Sequence, residues 1–348
     1  MSIFRKRAED EDFEDEEFEE VEDKALTRKK IKSENRKKRK ELSKPWGKKE
    51  RYLVFGVFLA TVLISGLLAA SARSWKLPNF PKISLPSFKE ETIIITSNKN
   101  EAQKAQKVID SFKKETDGLS GIYAFYLVKL ESGFSYGVSE NEVMQAASLI
   151  KLPVMATLFK EADAGKINLE SKYALKDSDR VAGAGGLYSK PAGTTLTYRE
   201  LARLMGKQSD NTALGIVRRT LGEDKIDEVI SQIGMNKTSL SENETSPYDI
   251  GLFFEKLWKT EIVSDKSRDE ILDNLTDTAY EKWIVAGISP GIRVAHKYGV
   301  EANVVNDAGI VFSEKPFVLV IMSKGVVVKE ANEVFPKLAR IFYESQGN

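Results

Sequence analysis

The sequence contains no cysteine. That absence excludes disulfide bonds, thiolate metal sites, a cysteine nucleophile and a lipid-modified cysteine. Histidine is nearly absent as well, His296 being the single copy. A Ser-His-Asp triad would hang on that one residue and is not expected. On a strand, a lone histidine reads as a satisfied polar side chain, and His296 is assigned no role. Net charge is only +1, so bulk charge points neither to nucleic acid nor to an anionic membrane.

The near-neutral balance hides two opposed blocks. Residues 9–23 hold 12 acids in 15 positions, and residues 24–51 hold 14 Lys/Arg against three Glu. Residues 1–51 lack periodic apolar positions and read as a charged, disordered tail. Its acidic block is a solvated segment or a docking site for a cytoplasmic partner. Residues 53–72 then run for 20 positions without a charge, long enough to cross a bilayer as a helix. Tyr52 and Trp75 sit where interfacial aromatics belong. The basic excess on the N-terminal side predicts a single-pass membrane protein spanning at 52–72, with a cytoplasmic N-terminus and everything beyond outside. A cleaved signal peptide fits less well, because the 51-residue lead and the apolar run are both too long. Residues 73–100, with Pro78, Pro81 and Pro86, read as a stiff linker.

The remaining 101–348 forms one domain. Periodicity predicts a helix over 101–116 and a hairpin from 121–130 into 134–138. Helices follow at 148–164, 197–207, 212–221, 224–233 and 247–260. Strands return at 292–297, 303–312 and 316–323 before a last helix at 329–343. Strands at both ends around a helical block predict an α+β fold. Its antiparallel β-sheet is formed by both ends of the domain beside an all-α region, preceded by the single transmembrane helix.

Three short motifs carry the chemistry. Ser148-Leu149-Ile150-Lys151 opens an apolar helix and puts a hydroxyl and an amine three apart on one face. A partly desolvated amine there accepts the serine proton, and the alkoxide attacks a carbonyl carbon. The spacing is weak evidence alone, since Ser111 and Lys114 repeat it on an ordinary charged helix. Ser209-Asp210-Asn211 follows 61 residues after Ser148, at the junction of two helices. Lys297-Tyr298-Gly299 lies 88 residues beyond Ser209, on a strand.

In that order, the motifs resemble those of the serine acyl-transferase superfamily of class A β-lactamases and penicillin-binding proteins. The resemblance covers about residues 101–348, and Gly183 to Thr197 (GAGGLYSKPAGTTLT) supports it. It implies Ser148 as nucleophile, Lys151 as base or relay, and Ser209 as the group passing the proton to the leaving nitrogen. It implies that Asn211 binds the substrate amide, Asp210 fixes the turn, and Lys297 meets a substrate carboxylate. Gly299 would let the substrate lie flat on the strand, and the N–H groups of Ser148 and Val300 would form the oxyanion hole. This chemistry needs no cofactor and no metal. The implied substrate is a small molecule, a β-lactam or a peptidoglycan-like peptide.

Two departures from the pattern stand out. Tyr298 replaces the small hydroxyl residue between Lys and Gly, which puts substrate identity in question. The segment 240–247 (LSENETSP) is about a dozen residues short of the loop that carries the deacylating glutamate, with Glu242 and Glu244 as the available acids. Acylation is expected to proceed and deacylation to be slow. A D,D-peptidase and a non-hydrolytic β-lactam or peptidoglycan sensor are the competing readings.

Overall fold

A computed structural model describes residues 47–71, 92–95 and 99–347, with backbone alone for parts of the first stretch and all of the second. Of the tail expected over 1–51, residues 1–46 lie outside the described residues, as do 72–91 and 96–98 of the expected span and linker. The chain divides into two units, Met1–Ser87 and Phe88–Asn348. In the first, helix α1 (Lys48–Ser71) starts in the charged stretch before the charge-free run and covers its residues 53–71. Side chains within it are described at Lys49, over 52–63 and at Ser65. Among the described residues no helix is long and apolar enough to cross a membrane, and the side chains of the rest of the expected span lie outside what is described.

The second unit begins with β1 (Thr92–Ile95), α2 (Lys99–Thr116), β2 (Ile122–Lys129), β3 (Ser135–Val138) and β4 (Met144–Gln145). The helical block comprises α3 (Lys151–Asp163), the short pair β5 (Lys172–Ala174) and β6 (Thr195–Thr197), α4 (Tyr198–Lys207), α5 (Asn211–Leu221) and α6 (Glu223–Ile233). After β7 (Glu244–Thr245) come α7 (Pro247–Trp258), α8 (Asp265–Asn274) and α9 (Ile284–Gly287). The chain returns to the sheet as β8 (Val294–Glu301), β9 (Val304–Val311) and β10 (Phe317–Lys324), and α10 (Val328–Ser345) closes it.

The main sheet has the order β1-β3-β2-β10-β9-β8, all neighbours antiparallel. Both ends of the domain therefore build it, as the sequence pattern predicts. Side-chain alternation divides its two faces. Ala124, Tyr126 and Val128 of β2 join the core under the helical block, where α3 is buried almost throughout. Tyr123, Phe125 and Leu127 face α2 and α10. There Phe125 lies 4.7 Å from Phe112 and 4.5 Å from Phe342, ring centre to ring centre. Burying each such ring contributes about 2–3 kcal/mol.

The structure departs from the sequence reading in two places that matter. The sheet starts inside the expected linker, because the β-branched run Thr92–Ile95 pairs with β3 as an edge strand. Helix α8 was not expected from its charged sequence. Ser264 caps it through Ser267 N, and Ile271 and Leu272 alone supply its apolar anchors.

Candidate active site

Ser148 does not open the helix as its spacing suggested. It lies in a 3₁₀ turn (Ala147–Ile150) that passes directly into α3 at Lys151. The pairing survives because three residues per turn bring i and i+3 into register. Lys151 Nζ sits 2.8 Å from Ser148 Oγ, 3.3 Å from Ser209 Oγ and 2.7 Å from Asn211 Oδ1. The amine is 2% exposed, whereas Ser148 stays partly open to solvent. Burial pulls the Lys151 amine down to about 8, against the opposing charges of Asp210 and Glu301. At pH 7 about a tenth of it, and at pH 8 about half, is thus free to accept a proton. The rival pair behaves as an ordinary helix surface, with Ser111 Oγ donating to Lys107 O of its own helix.

Ser209 and Asn211 arrive from the α4–α5 junction. Asp210 caps α5 by accepting from Ala213 N at 2.8 Å, and its other oxygen accepts from Leu187 N at 2.8 Å. This is the turn-fixing role expected of it. The glycine-rich approach wraps closely around this junction: a Cβ on Gly185 would fall 2.1 Å from Asp210 Oδ2. Backbone strain marks both sides of the site, since Ala147 (φ 48°) and Ser209 (φ 56°) adopt left-handed conformations without being glycine. Each costs about 1–2 kcal/mol.

The third motif comes from β8, the edge strand of the sheet. Lys297 is fully buried; its Nζ donates to Ser209 Oγ at 3.0 Å and to Tyr298 O at 2.7 Å. Burial and the neighbouring Lys151 charge hold it well below the ordinary lysine range, with Asp307 opposing. One hydroxyl, Ser209, thus joins two amines that disfavour each other's protonation. The Tyr298 ring lies 4.2 Å from Lys297 Nζ and 5.4 Å from the Tyr280 ring. The phenol therefore forms a wall over the ammonium. Gly299 has a packing reason that the sequence did not reveal: a Cβ there would lie 2.8 Å from Ser148 N. Only glycine lets β8 come against the turn carrying the nucleophile. Val300, next on the strand, is exposed.

Several residues at the site escaped the sequence reading. Buried Asn306 on β9 donates to Gln145 O at 2.8 Å and Ala146 O at 3.2 Å, pinning the approach to Ser148 onto the sheet. Its Oδ1 is fixed in turn by Ser323 N. The short 240–247 segment pairs through β7 with β4 and donates nothing to Ser148 or Lys151. Asn243 O accepts from Ala146 N at 2.7 Å, while Asn243 Nδ2 donates to Glu301 Oε1 at 3.0 Å. The acids whose charge reaches Lys151 are Asp210 and Glu301. Glu242 is an exposed loop acid and Glu244 belongs to β7. No sequence signal marked Glu301, because only the hairpin β8–β9 brings it beside the loop.

A partly open serine beside a buried lysine, with two further motif residues on the same amine, sits between a helical block and a sheet edge. The model of the β-lactamase enzyme family matches residues 102–346. The chain belongs to that family. It is a serine hydrolase of the acyl-enzyme type. Among solved structures, PBP-A matches at 26% identity and a TM-score of 0.66, over 70% of this chain and 96% of that one. A PBP-A mutant captured as an acyl-enzyme with penicillin G matches at 26% identity and a TM-score of 0.64, over 71% and 97%. A β-lactamase from Sphaerobacter thermophilus shares the fold at 24% identity and a TM-score of 0.66, over 70% and 97%. No curated protein matches the chain.

Proposed function

We infer that this hydrolase is acylated at Ser148 by β-lactams or related amides and releases the acyl group slowly. The observation that carries the reading is the Lys151 amine, partly neutral near pH 8 and 2.8 Å from Ser148 Oγ. Lys151 accepts the serine proton as Oγ attacks the carbonyl carbon, and the carbonyl oxygen is received by the N–H groups of Ser148 and Val300. The C–N bond then breaks. Ser209 hands a proton to the leaving nitrogen, drawing on Lys151 or Lys297, both within 3.3 Å of its hydroxyl. Asn211 holds the substrate amide. Lys297 contributes positive charge toward a substrate carboxylate, and Gly299 keeps the strand edge close. The product of this half-reaction is an ester on Ser148.

Slow release follows from the loop. Hydrolysis of the ester needs a water and a positioned base, and neither Glu242 nor Glu244 hydrogen-bonds to Ser148 or Lys151 among the described residues. The likeness to PBP-A and to its penicillin acyl-enzyme also favours a penicillin-binding wall enzyme as the second reading. The charge-free run at 53–72 and the basic excess before it support a membrane anchor that leaves the catalytic domain extracytoplasmic. The acidic tail offers a cytoplasmic partner a docking segment, the basis of a sensor role.

A chromogenic cephalosporin followed by intact mass on the full chain tests the proposal. A single burst with a persistent adduct, absent in Ser148→Ala, is the expected outcome. Sustained turnover would overturn slow release, and an equal adduct on the variant would remove Ser148 as nucleophile.

A further inference from the structure

The one histidine of the chain sits directly before Lys297 and is fully buried. Strand alternation turns His296 to the face opposite Lys297, and both ring nitrogens are engaged there. Nδ1 lies 2.7 Å from Asp307 Oδ1 on β9; Nε2 lies 3.1 Å from Thr278 Oγ1 and 3.4 Å from Glu281 Oε1. Asp307 Oδ2 meanwhile accepts from Ile284 N at 2.9 Å. Glu281 Oε1 closes a turn by accepting from Thr278 N and Thr278 Oγ1, at 2.5 and 2.8 Å. The main chain adds a tie, His296 N donating to Leu275 O at the end of α8. Space for the ring is reserved by Gly309, its cross-strand partner, where a Cβ would fall 2.6 Å from His296 Cα.

Two carboxylates facing two engaged nitrogens favour the doubly protonated ring. A neutral imidazole has one N–H and satisfies one carboxylate only. Were Nε2 to lose its proton, the Thr278 hydroxyl would turn to donate to it and Glu281 would lose that contact. The 276–283 segment carries Tyr280, whose ring stacks on Tyr298, the wall of the Lys297 ammonium. The imidazole is therefore connected to the substrate-facing edge through one short segment.

We propose that His296 is a positioning residue for acylation: an imidazolium clamped between Asp307 and Glu281 that fixes the 276–283 segment and, through Tyr280 and Tyr298, the place where Lys297 meets the substrate. This rests on the acylation chemistry inferred above. Burial alone would lower the ring's proton affinity, but the charges and hydrogen bonds of Asp307 and Glu281 outweigh it and hold the imidazole up at about 9. The other titratable groups around it are Tyr280 from the segment, with Lys282 over its ring, and Lys297 and Tyr298 on its own strand.

Because His296 is unique, a ¹⁵N-histidine-labelled sample of the full chain gives one imidazole. The expected spectrum at pH 7.5 has two protonated ring nitrogens, titrating with a midpoint near 9. A neutral ring at pH 7.5 overturns the proposal. In His296→Gln the acylation efficiency, kcat/KM, falls about tenfold while the deacylation rate holds. The wild-type decline of kcat/KM above pH 9 disappears in the variant. An unchanged pH profile also overturns the proposal. Should that variant not fold, Glu281→Gln, altered at a half-buried carboxylate, must lower both the imidazole midpoint and the pH at which kcat/KM declines. No movement of either in Glu281→Gln rejects the clamp. If wild type forms no Ser148 adduct, the acylation reading fails, while the imidazole spectrum still reports on the clamp.

Discussion

Lys151 and Lys297 are both buried and both hydrogen-bonded to Ser209, yet their surroundings are built by different parts of the chain. Lys151 is held by Ser148 and by Asn211 from the next motif, all at helix starts. Lys297 is held by its own strand and its ring neighbour Tyr298, while a buried network on the other face of that strand joins β9 to 276–284. The helical half thus rests on residues gathered in two short motifs, which Lys151 joins across 58 and 60 residues. The strand half rests on contacts between distant segments. What the comparison teaches is that a proton-transfer apparatus can stay compact in sequence, whereas the edge that receives the substrate is set by whatever packs behind it.

The comparison breaks first at Lys151. Lys151→Ala removes the amine nearest the nucleophile, and the rate of adduct formation on Ser148 should fall about 10³-fold, as for loss of a positioned general base. Stopped-flow acylation followed by intact mass checks this. A loss under tenfold would mean that Lys297, acting across Ser209, takes the serine proton, and the two halves would then be interchangeable.

Smaller in effect is the pH dependence. The neutral Lys151 amine is the active form, and burial sets its midpoint at about 8. Its neutral fraction climbs from about 1% at pH 6 to about half at pH 8, so acylation should rise roughly 50-fold across that window. A profile that is flat or falling between pH 6 and 8 would assign the base elsewhere. Any loss of activity from His296 deprotonation belongs to the opposite, alkaline side, because its proton leaves only near 9.

This division also explains how far the sequence could be read. Ser148 and Lys151 are three apart, a spacing that local geometry brings onto one face, and Ser209 and Asn211 share one short motif, so the residues were legible before any fold was known. The sheet assembled from both ends was equally legible, since β2 and β10 are short, nearly continuous apolar runs of the kind buried on both faces. His296 was not legible as anything but a strand residue. Its partners lie 11 residues on at Asp307 and 15 back at Glu281, and neither spacing belongs to a helix or strand repeat. Asn306 reaches Ala146 across 160 residues. Glycine at 299 reads in the sequence as room for substrate, and the structure adds that it makes room for the turn that carries Ser148. Long-range closure, which no local pattern encodes, accounts for each of these.

Tyr298 offers the finest test of the contrast. In the family pattern a small hydroxyl stands at this place and assists a substrate carboxylate; here a half-buried phenol covers the Lys297 ammonium and packs on Tyr280. Tyr298→Thr restores a hydroxyl donor at the strand edge while leaving Lys297 its bonds to Ser209 and to the backbone carbonyl. A hydrogen bond to a charged group contributes about 1.5–3 kcal/mol, and the lost aromatic pairing takes back about 1 kcal/mol. The net expectation is an approximately tenfold faster acylation by a carboxylate-bearing β-lactam, with no gain for a matched ester lacking the carboxylate. Equal changes for both substrates would show that the phenol acts through packing alone. A loss for both would mean that the aromatic wall, rather than a carboxylate contact, is what this enzyme uses to hold its substrate.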